Sequence, residues 1–467
     1  MQTKEKGSLN VGLRSFLTAI AVIAILMTAT YLLTCLIPGG SYTRIEDAEG
    51  NLVIDTAAGF VFTEGGIPFW KWLLSPILVL GAPGNGTLIA VIMFLLVIGG
   101  VFTCLDQCGL MEYMLHKTAS RFRAVRYRLM AVVLLLFMAM GTMIGSFEEC
   151  VPLVPIMVAL AINLGWDALT GIGMSLLAGA CGFAAGVCNP FTVGVAQQLA
   201  GLPMFSGAWL RLIAFALIYL LLYGFLRSYA KKIERPLETV QSGIAFESDR
   251  KMDKALWCFV WIVGTGMALV LSSGFIQALQ DYTMIIVAIM FLAAGLCATS
   301  LSGMSGKMMG KYFIGGLISI LPAVVMILMA SSIRYTLEEA KVLDTILYEA
   351  VRLAQRLPGW MVVLFIYLVV LVMNFFIPSG SAKAFMLIPL IVPLAQVFGL
   401  SPQLCVLAFA FGDGFSNVFY PTNPVLLIAL GLVDVNYGDW FKWSGKFQIF
   451  NLILTSLILI LGLAIGY

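Results

Sequence analysis

Long runs of apolar residues, separated by short polar segments, dominate the chain. Several of them approach or exceed the roughly 18 residues that cross the hydrocarbon core of a bilayer, for example 129–158 and 210–226. The first run, at about 14–37, is too long for the core of a signal peptide and is expected to remain as a membrane span. The pattern predicts an all-α polytopic membrane protein with about nine to eleven spans, embedded in a lipid bilayer.

Composition narrows the class of function. Of the 467 residues, 61% are hydrophobic and 11% are charged, against roughly 25% charged residues in soluble domains. The net charge of +3, confined to short loops, argues against nucleic acid as a partner. One histidine and nine scattered cysteines predict neither a zinc site nor a disulfide framework. No nucleotide loop or Gly-x-Ser-x-Gly elbow is present, so no enzyme and no cofactor are predicted.

The distribution of charge predicts the orientation of the chain. Basic residues are concentrated in the segments 4–14, 117–128 and 227–254, which the positive-inside rule assigns to the cytoplasm together with the N-terminus. The segment 41–64 is mostly acidic and is expected outside. Asp106 and Arg211 lie near the ends of predicted spans and are expected to face water.

Two apolar stretches are too long for one perpendicular crossing and are interrupted by glycine, proline and charged residues. The first, about 129–164, is predicted to be a re-entrant hairpin that enters and leaves on the cytoplasmic side, because this keeps the basic linker at 234–253 inside. The second, about 358–398, is broken near Pro378 and by the same counting opens to the outside. The alternative for the first stretch is a single crossing.

Proline, glycine and Asn-Pro positions of the first half of the chain recur in the second half. A shift of 234 positions aligns Pro155 with Pro389, Gly165 with Gly399, and the pair Asn189-Pro190 with Asn423-Pro424. These matches predict an inverted-topology repeat, with repeat 1 at 1–233 and repeat 2 at 254–467. Such an architecture supports alternating access around a central site.

Each hairpin is followed by a span that contains an Asn-Pro pair, at about 170–200 and 402–432. Proline removes a backbone donor and disfavours helix at the preceding residue, so both spans are predicted to be broken helices. Backbone groups freed in the middle of a membrane are tolerated where they line a cavity and bind a ligand. The alternative is a pair of proline kinks without a ligand.

Four ionisable residues are expected near the middle of the membrane: Glu148, Glu149, Lys383 and Asp413. Each costs about 2.5–3.5 kcal/mol at a helix centre on insertion scales, so they should face a cavity. Their net charge of minus two favours a cationic ligand group or protons. The alternatives are that Lys383 snorkels to an interface and that Asp413 forms a structural bridge with it.

The motifs Gly145-Ser-Phe-Glu-Glu149, Asn189-Pro-Phe-Thr192 and Ile377-Pro-Ser-Gly-Ser-Ala-Lys383 resemble those of the YfcC/ArcD-type basic amino acid antiporters, a DcuC-like family of the ion transporter superfamily. The resemblance covers nearly the whole chain. It implies a secondary transporter of the bacterial inner membrane that works as a homodimer by an elevator motion. The related sodium-coupled dicarboxylate carriers have Ser-Asn-Thr at both tips, whereas this chain has Ser146-Phe-Glu148 and Ser379-Gly-Ser381.

The resulting hypothesis is exchange, or ion-coupled uptake, of a basic amino acid, with Na⁺ or H⁺ as the coupling ion. The alternatives are a carrier of C4-dicarboxylates or other small carboxylates and, more remotely, a channel. A sodium ion is expected near Ser146, Asn189, Ser381 and Asn423. The full set of predicted substrate-binding residues is Ser146, Glu148, Glu149, Asn189, Pro190, Thr192, Ser379, Gly380, Ser381, Lys383, Asp413, Asn417, Thr422 and Asn423.

Overall fold

The computed structural model describes residues 13–46, 52–55, 58–82, 86–114, 117, 123–144, 148–235, 249–273 and 283–467. Helices dominate because a backbone in lipid must satisfy its hydrogen bonds within its own segment. Among the described residues, nine helices are long and apolar enough to cross a membrane. The prediction of an all-α polytopic membrane protein is therefore confirmed.

The N-terminal part combines two long helices with a small ribbon of strands. In the ribbon, Gly40 lies opposite Phe62 and Arg44 lies opposite Ile54, both in antiparallel pairs. The elements are α1 Leu13–Leu36, β1 Gly40–Tyr42, β2 Arg44–Glu46, β3 Leu52–Ile54, β4 Phe60–Phe62, α2 Phe69–Leu73, α3 Ser75–Leu78 and α4 Gly86–Gln107.

A helical hairpin follows, and its two ends meet. Arg126 Nη1 donates to the Leu164 carbonyl at 3.1 Å, and the Arg235 amide donates to the Gly165 carbonyl at 2.9 Å. These residues form the first foot. The elements are α5 Arg126–Ile144, a 3-10 helix Glu148–Leu153, α6 Val154–Asn163, α7 Ala168–Ile172, a π-helix Gly173–Leu177, α8 Ala178–Ala185, a π-helix Pro190–Gly194, α9 Val195–Leu199 and α10 Ala208–Ile233.

Three further long helices complete a packed group. They are α11 Arg250–Ser273, α12 Thr283–Leu301 and α13 Gly306–Glu339. With α1 and α4 they pack against one another; a Cβ on Gly316 would lie 2.3 Å from the Gly99 carbonyl, so α13 and α4 touch backbone to backbone. Next comes α14, Val342–Ala354, which holds the ribbon because Asp344 accepts from the Tyr42 amide at 3.0 Å and pairs with Arg44 at 2.8 Å.

A second hairpin also closes on itself. A Cβ added to Gly359 would lie 3.6 Å from the Phe398 carbonyl, so the beginning and end of the hairpin are in contact. These two residues form the second foot. The elements are α15 Gly359–Phe376, α16 Gly380–Val397, α17 Pro402–Gly414, a 3-10 helix Phe415–Val418, α18 Pro424–Leu432 and α19 Tyr437–Ala464.

The two feet lie at opposite ends of α10. The first foot includes Arg235, which lies just beyond the C-terminal end of that helix. Close to the second foot, Ser401 donates to the Tyr467 carbonyl, and Tyr467 in turn donates to the Gly207 carbonyl beside the start of α10 at 2.6 Å. A helix of 26 residues is about 39 Å long.

Helix boundaries in the two halves correspond after a shift of 234 positions. Helix α7 begins at Ala168 and α17 at Pro402; α6 ends at Asn163 and α16 at Val397. The second segments of the interrupted helices begin at Pro190 and Pro424. Proline and glycine residues at matching positions therefore accompany similar element boundaries in both halves.

Candidate functional site

The tip of the second hairpin meets both interrupted helices. A Cβ on Gly380 would lie 2.3 Å from Thr192 Cγ2 and 2.6 Å from Asp413 Oδ2, so only glycine fits between them. A Cβ on Gly414 would likewise lie 2.2 Å from Ala184 Cβ. The structure thus brings the predicted residues Gly380, Thr192 and Asp413 together where the two halves touch.

A fully buried ion pair stands at this junction. Lys383 Nζ lies 2.6 Å from Asp413 Oδ1, and both side chains are 0% exposed. The same ammonium donates to the Ile377 carbonyl at 2.8 Å and to Asn374 Oδ1. Ser379 caps α16 by accepting from the Ala382 amide, which puts Lys383 in the first turn of that helix, where the dipole disfavours a positive charge. The surrounding oxygens offset that effect.

Asn374 links the ion pair to the second interrupted helix. Its Nδ2 lies 2.6 Å from Ser416 Oγ and 3.0 Å from both the Asp413 carbonyl and Asn417 Oδ1. Asn417 accepts in addition from Asn423 Nδ2 at 3.1 Å. Buried polar chains of this kind rigidify a site when their members are satisfied. The network therefore fixes the hairpin tip to the break in the helix.

Both Asn-Pro pairs break a helix by the same device. Helix α8 ends at Ala185, and the capping residue Gly186 takes the left-handed φ of 55°. Asn189 Oδ1 then accepts from the Thr192 amide at 3.1 Å, and Asn423 Oδ1 accepts from the Val425 amide at 3.0 Å, so each asparagine caps the segment that its proline begins. Helical hydrogen bonding stops before each pair, as the sequence pattern predicts.

The first hairpin holds the first break from the side. Thr142 Oγ1 accepts a hydrogen bond from the Val187 amide at 2.8 Å, and the Thr142 carbonyl accepts one from the Cys188 amide at 3.3 Å. Glu148 and Glu149 open the 3-10 helix after the tip. Their side chains and all of Ser146 lie outside the described residues, so their part in the site stays a prediction.

The remaining predicted residues surround the junction in different ways. Thr192 and Thr422 are buried, and within the described part of the chain their hydroxyls have no hydrogen-bond partner. Such hydroxyls are candidates for contacts with a ligand. Ser379 and Ser381 are partly exposed at the tip, and Pro190 is buried at the start of its π-helix.

The structure decides one alternative and corrects one expectation. Lys383 does not snorkel, because it is fully enclosed and paired with Asp413, so the alternative of a bridge between these two side chains is the one observed. The net charge of minus two expected at the centre also counts Glu148 and Glu149, whose side chains lie outside the described residues, and it stays a prediction. The expectation that Arg211 faces water is wrong. It is fully buried because Tyr467 folds over it, with Nη1 3.4 Å from the Tyr467 hydroxyl, while Nε and Nη2 meet no acceptor among the described residues.

Sequence reasoning also missed Asn374 and Ser416, which complete the polar network. Asn374 is the one amide side chain in the otherwise apolar helix α15. An isolated polar residue inside an apolar span is itself a signal for buried hydrogen bonding, and it was available from the sequence.

The described part of the chain is that of a polytopic membrane protein, because it contains nine helices of membrane-spanning length. A buried ion pair lies at its centre, between two hairpins and two interrupted helices. A family model described as DcuC, the C4-dicarboxylate anaerobic carrier family, matches residues 16–464. The chain belongs to this family of membrane transporters.

Two curated proteins are similar in sequence. The Escherichia coli protein named "Putative basic amino acid antiporter YfcC" is 29% identical over 408 residues, which cover 82% of this chain and 79% of that protein. An uncharacterized protein of Haemophilus influenzae is 24% identical over 402 residues, covering 82% and 77%. The expected resemblance to YfcC-type proteins is therefore confirmed.

Two solved transporters align along most of their length. The Alcanivorax borkumensis YdaH transporter is 15% identical, with 97% of this chain and 99% of that chain covered and a TM-score of 0.44. Neisseria gonorrhoeae MtrF is 16% identical, with 95% and 94% covered and a TM-score of 0.46. Both TM-scores are below 0.5, so these likenesses add nothing to the assignment.

Proposed function

We propose that the protein is a secondary active transporter of the bacterial inner membrane that exchanges basic amino acids or couples their uptake to an ion. The observation that carries this proposal is the junction of Lys383, Asp413 and Gly380 with the two interrupted helices. Intramembrane ionisable residues at broken helices mark substrate and ion pathways. The name of the Escherichia coli relative supports basic amino acids as the substrate class.

The proposed mechanism is alternating access by an inverted repeat with two re-entrant hairpins. The positions of the two feet at opposite ends of α10 support it, because the hairpins then enter the structure from opposite sides. The packed group of α1, α4, α11, α12 and α13 is the proposed scaffold, and the hairpins with their interrupted helices are the proposed moving domain. We propose that the scaffold forms a homodimer and that the N-terminus is cytoplasmic.

In this mechanism the two ends of an amino acid bind different groups. The side-chain cation binds Glu148 or Glu149 at the first tip. The carboxylate binds near Ser379 and Ser381 and the N-terminus of α16, where the helix dipole favours a negative group. The buried hydroxyls of Thr192 and Thr422 are available for further contacts. Lys383 and Asp413 bind each other and hold the tip in place.

Counterflow in proteoliposomes tests the substrate class. Vesicles preloaded with arginine, ornithine, lysine, succinate or fumarate are challenged with the labelled form of each compound, with protein-free vesicles as the control. We expect saturable exchange among the basic amino acids, reduced in Glu148→Gln or Glu149→Gln. Exchange of succinate and fumarate without any response to basic amino acids would reject the proposal, and conductance without saturation would indicate a channel.

A carrier of C4-dicarboxylates is the second candidate. The description of the family favours it, and so does Arg211, a buried guanidinium for which the described residues provide only one long hydrogen bond to a neutral hydroxyl. A buried cation of this kind suits a carboxylate ligand. If this protein carries C4-dicarboxylates, we expect Arg211→Met to abolish succinate exchange. If it carries basic amino acids, we expect the same variant to retain measurable arginine exchange that depends on Glu149.

A further inference from the structure

We propose that the ammonium group of Lys383 is a tethered cation that fills a cation site in the second half, so that this site takes no sodium ion during transport. The inference deepens the proposed function and rests on it for its transport assay. It concerns which positive charge occupies the site, whatever the transported solute is.

The ammonium is held as a small bound cation would be. Its contacts are one carboxylate oxygen of Asp413 at 2.6 Å, the Ile377 carbonyl at 2.8 Å and the amide oxygen of Asn374. Unwound carbonyls and side-chain oxygens beside interrupted helices are the groups that coordinate sodium in transporters. Here the same kind of oxygen set binds a lysine.

The local sequence explains why these oxygens converge in one place. Ile377 precedes Pro378, and a residue before proline is pushed out of the helical region; Ile377 is extended, with φ −124° and ψ 90°. Its carbonyl therefore leaves the helical pattern and accepts from Lys383 six residues later. Asn374 reaches the same ammonium from the preceding helix, and Asp413 from the interrupted helix, so the cation joins three segments.

Charge balance excludes a second cation at this position. Among the described residues, Asp413 is the acidic side chain that pairs with Lys383, and both are completely buried. A sodium ion bound to the same three oxygens would stand next to the ammonium with one carboxylate between two positive charges, in a medium where like charges repel strongly. The ion and the lysine are therefore alternatives for the same place.

Lys383→Ala tests the inference, because it removes the ammonium and leaves its oxygens facing a cavity. Each variant is compared with the wild type in the same buffer, either sodium or N-methylglucamine, because a sodium ion bound in the first half would affect both proteins equally. In Lys383→Ala, we expect exchange in sodium-free buffer to fall about tenfold or more, since an uncompensated Asp413 is costly. Ethylammonium should restore much of the lost rate, whereas tetramethylammonium, which has the charge but no N–H donor, should not.

Thermal stability provides a readout that needs no substrate. Ethylammonium or Na⁺ should raise the Tm of Lys383→Ala in detergent by at least about 2 °C and leave the wild type unchanged. The double variant Lys383→Ala/Asp413→Asn has neither charge; it should fold and show no response to either cation. Because this measurement is independent of transport, a wrong substrate class would leave it intact.

Three results would overturn the inference. The first is a rise in the Tm of the wild type in Na⁺ that disappears in Asp413→Asn, because sodium would then bind beside Asp413 while the lysine is in place. The second is wild-type exchange by Lys383→Ala without any added cation. The third is the same Tm response to ethylammonium in Lys383→Ala and in the double variant, because the cation would then bind elsewhere.

Discussion

The two halves of the membrane region share their helix boundaries but not their chemistry. A shift of 234 positions pairs Asp413 with Gly179 and Asn374 with Met140. In the second half the hairpin is joined to the interrupted helix by ions and amides. In the first half the corresponding helices α5 and α8 touch backbone to backbone, since a Cβ on Gly182 would lie 1.9 Å from the Met138 carbonyl. Similar helix boundaries are thus compatible with two kinds of contact between a hairpin and its interrupted helix: buried polar side chains in the second half and a close backbone contact at glycine in the first.

This difference predicts where each half is vulnerable. A close glycine contact fails when atoms are added, whereas a buried ion pair fails when one partner loses its charge. Substitutions at matched positions in the two halves can therefore confirm or break the comparison, and the following predictions run from the largest expected effect to the smallest.

Asp413→Asn should have the largest effect. It leaves the ammonium of Lys383 buried without a counter-charge, and breaking a buried pair in this way typically costs about 3–5 kcal/mol. We expect a large fall in Tm in detergent and loss of transport. The double variant Asp413→Asn/Lys383→Met should recover most of the stability but not the transport. The exposed Asp439→Asn is the matched control, and an equal Tm for it and for Asp413→Asn would contradict the assigned role.

Asn374→Leu should destabilise the second half by about 1–3 kcal/mol, towards the upper end because one of its hydrogen-bond partners is charged. The substitution removes the hydrogen bonds to Lys383 Nζ and Ser416 Oγ. Its counterpart in the first half, Met140→Leu, should cost less than about 1.5 kcal/mol because it keeps the volume and the apolar character. Thermal unfolding of the two variants side by side measures the difference, and equal destabilisation would remove the distinction between the halves.

Gly182→Ala should destabilise the first half by about 1–2 kcal/mol. Overpacking against the Met138 carbonyl costs about 1–3 kcal/mol, and the better helix propensity of alanine offsets up to about 1 kcal/mol of this. Gly224→Ala in α10 is the matched control, because a Cβ there meets nothing within 4 Å; it should be neutral or stabilising. A Gly182→Ala protein with unchanged Tm would show that α5 and α8 separate easily.

Glu234→Gln should have the smallest effect, at most about 1 kcal/mol, because exposed ion pairs contribute little. Glu234 pairs with Arg126 at 2.8 Å beside the first foot, and its side chain is 35% exposed. Arg126 keeps its hydrogen bond to the Leu164 carbonyl in this variant. Thermal unfolding at low and at high salt measures the contribution, and a loss as large as that of Asp413→Asn would mean that the ion pair at the first foot matters as much as the ion pair at the centre.

Sequence patterns were most informative where backbone chemistry decides the structure. Apolar length predicted the membrane helices, and the two Asn-Pro pairs indicated where the helices are interrupted, because capping and the missing proline donor act locally. The family resemblance was confirmed. The re-entrant path of the hairpins and the roles of Glu148 and Glu149 stay predictions.

Side-chain partners across the fold were harder to predict. The pair of Lys383 with Asp413 was one of several alternatives, because nothing local determines which carboxylate an intramembrane lysine reaches. Arg211 was wrongly expected to face water, since its distance from a predicted helix end does not reveal that Tyr467, 256 residues later, covers it. Long-range contacts of this kind depend on the packing of helices that are far apart in sequence.

Because the two feet lie at either end of α10, the distance between them can report how the hairpins move. Spin labels at the exposed positions Ile162 and Val397, one beside each foot, would span nearly the whole thickness of the protein. If both hairpins travel together as one rigid body, that separation stays constant while either label changes its distance to α13. If each hairpin tip instead opens independently, the distribution of the distance between the two labels becomes broader. One spectroscopic measurement therefore distinguishes rigid-body movement of both hairpins from independent opening of each tip.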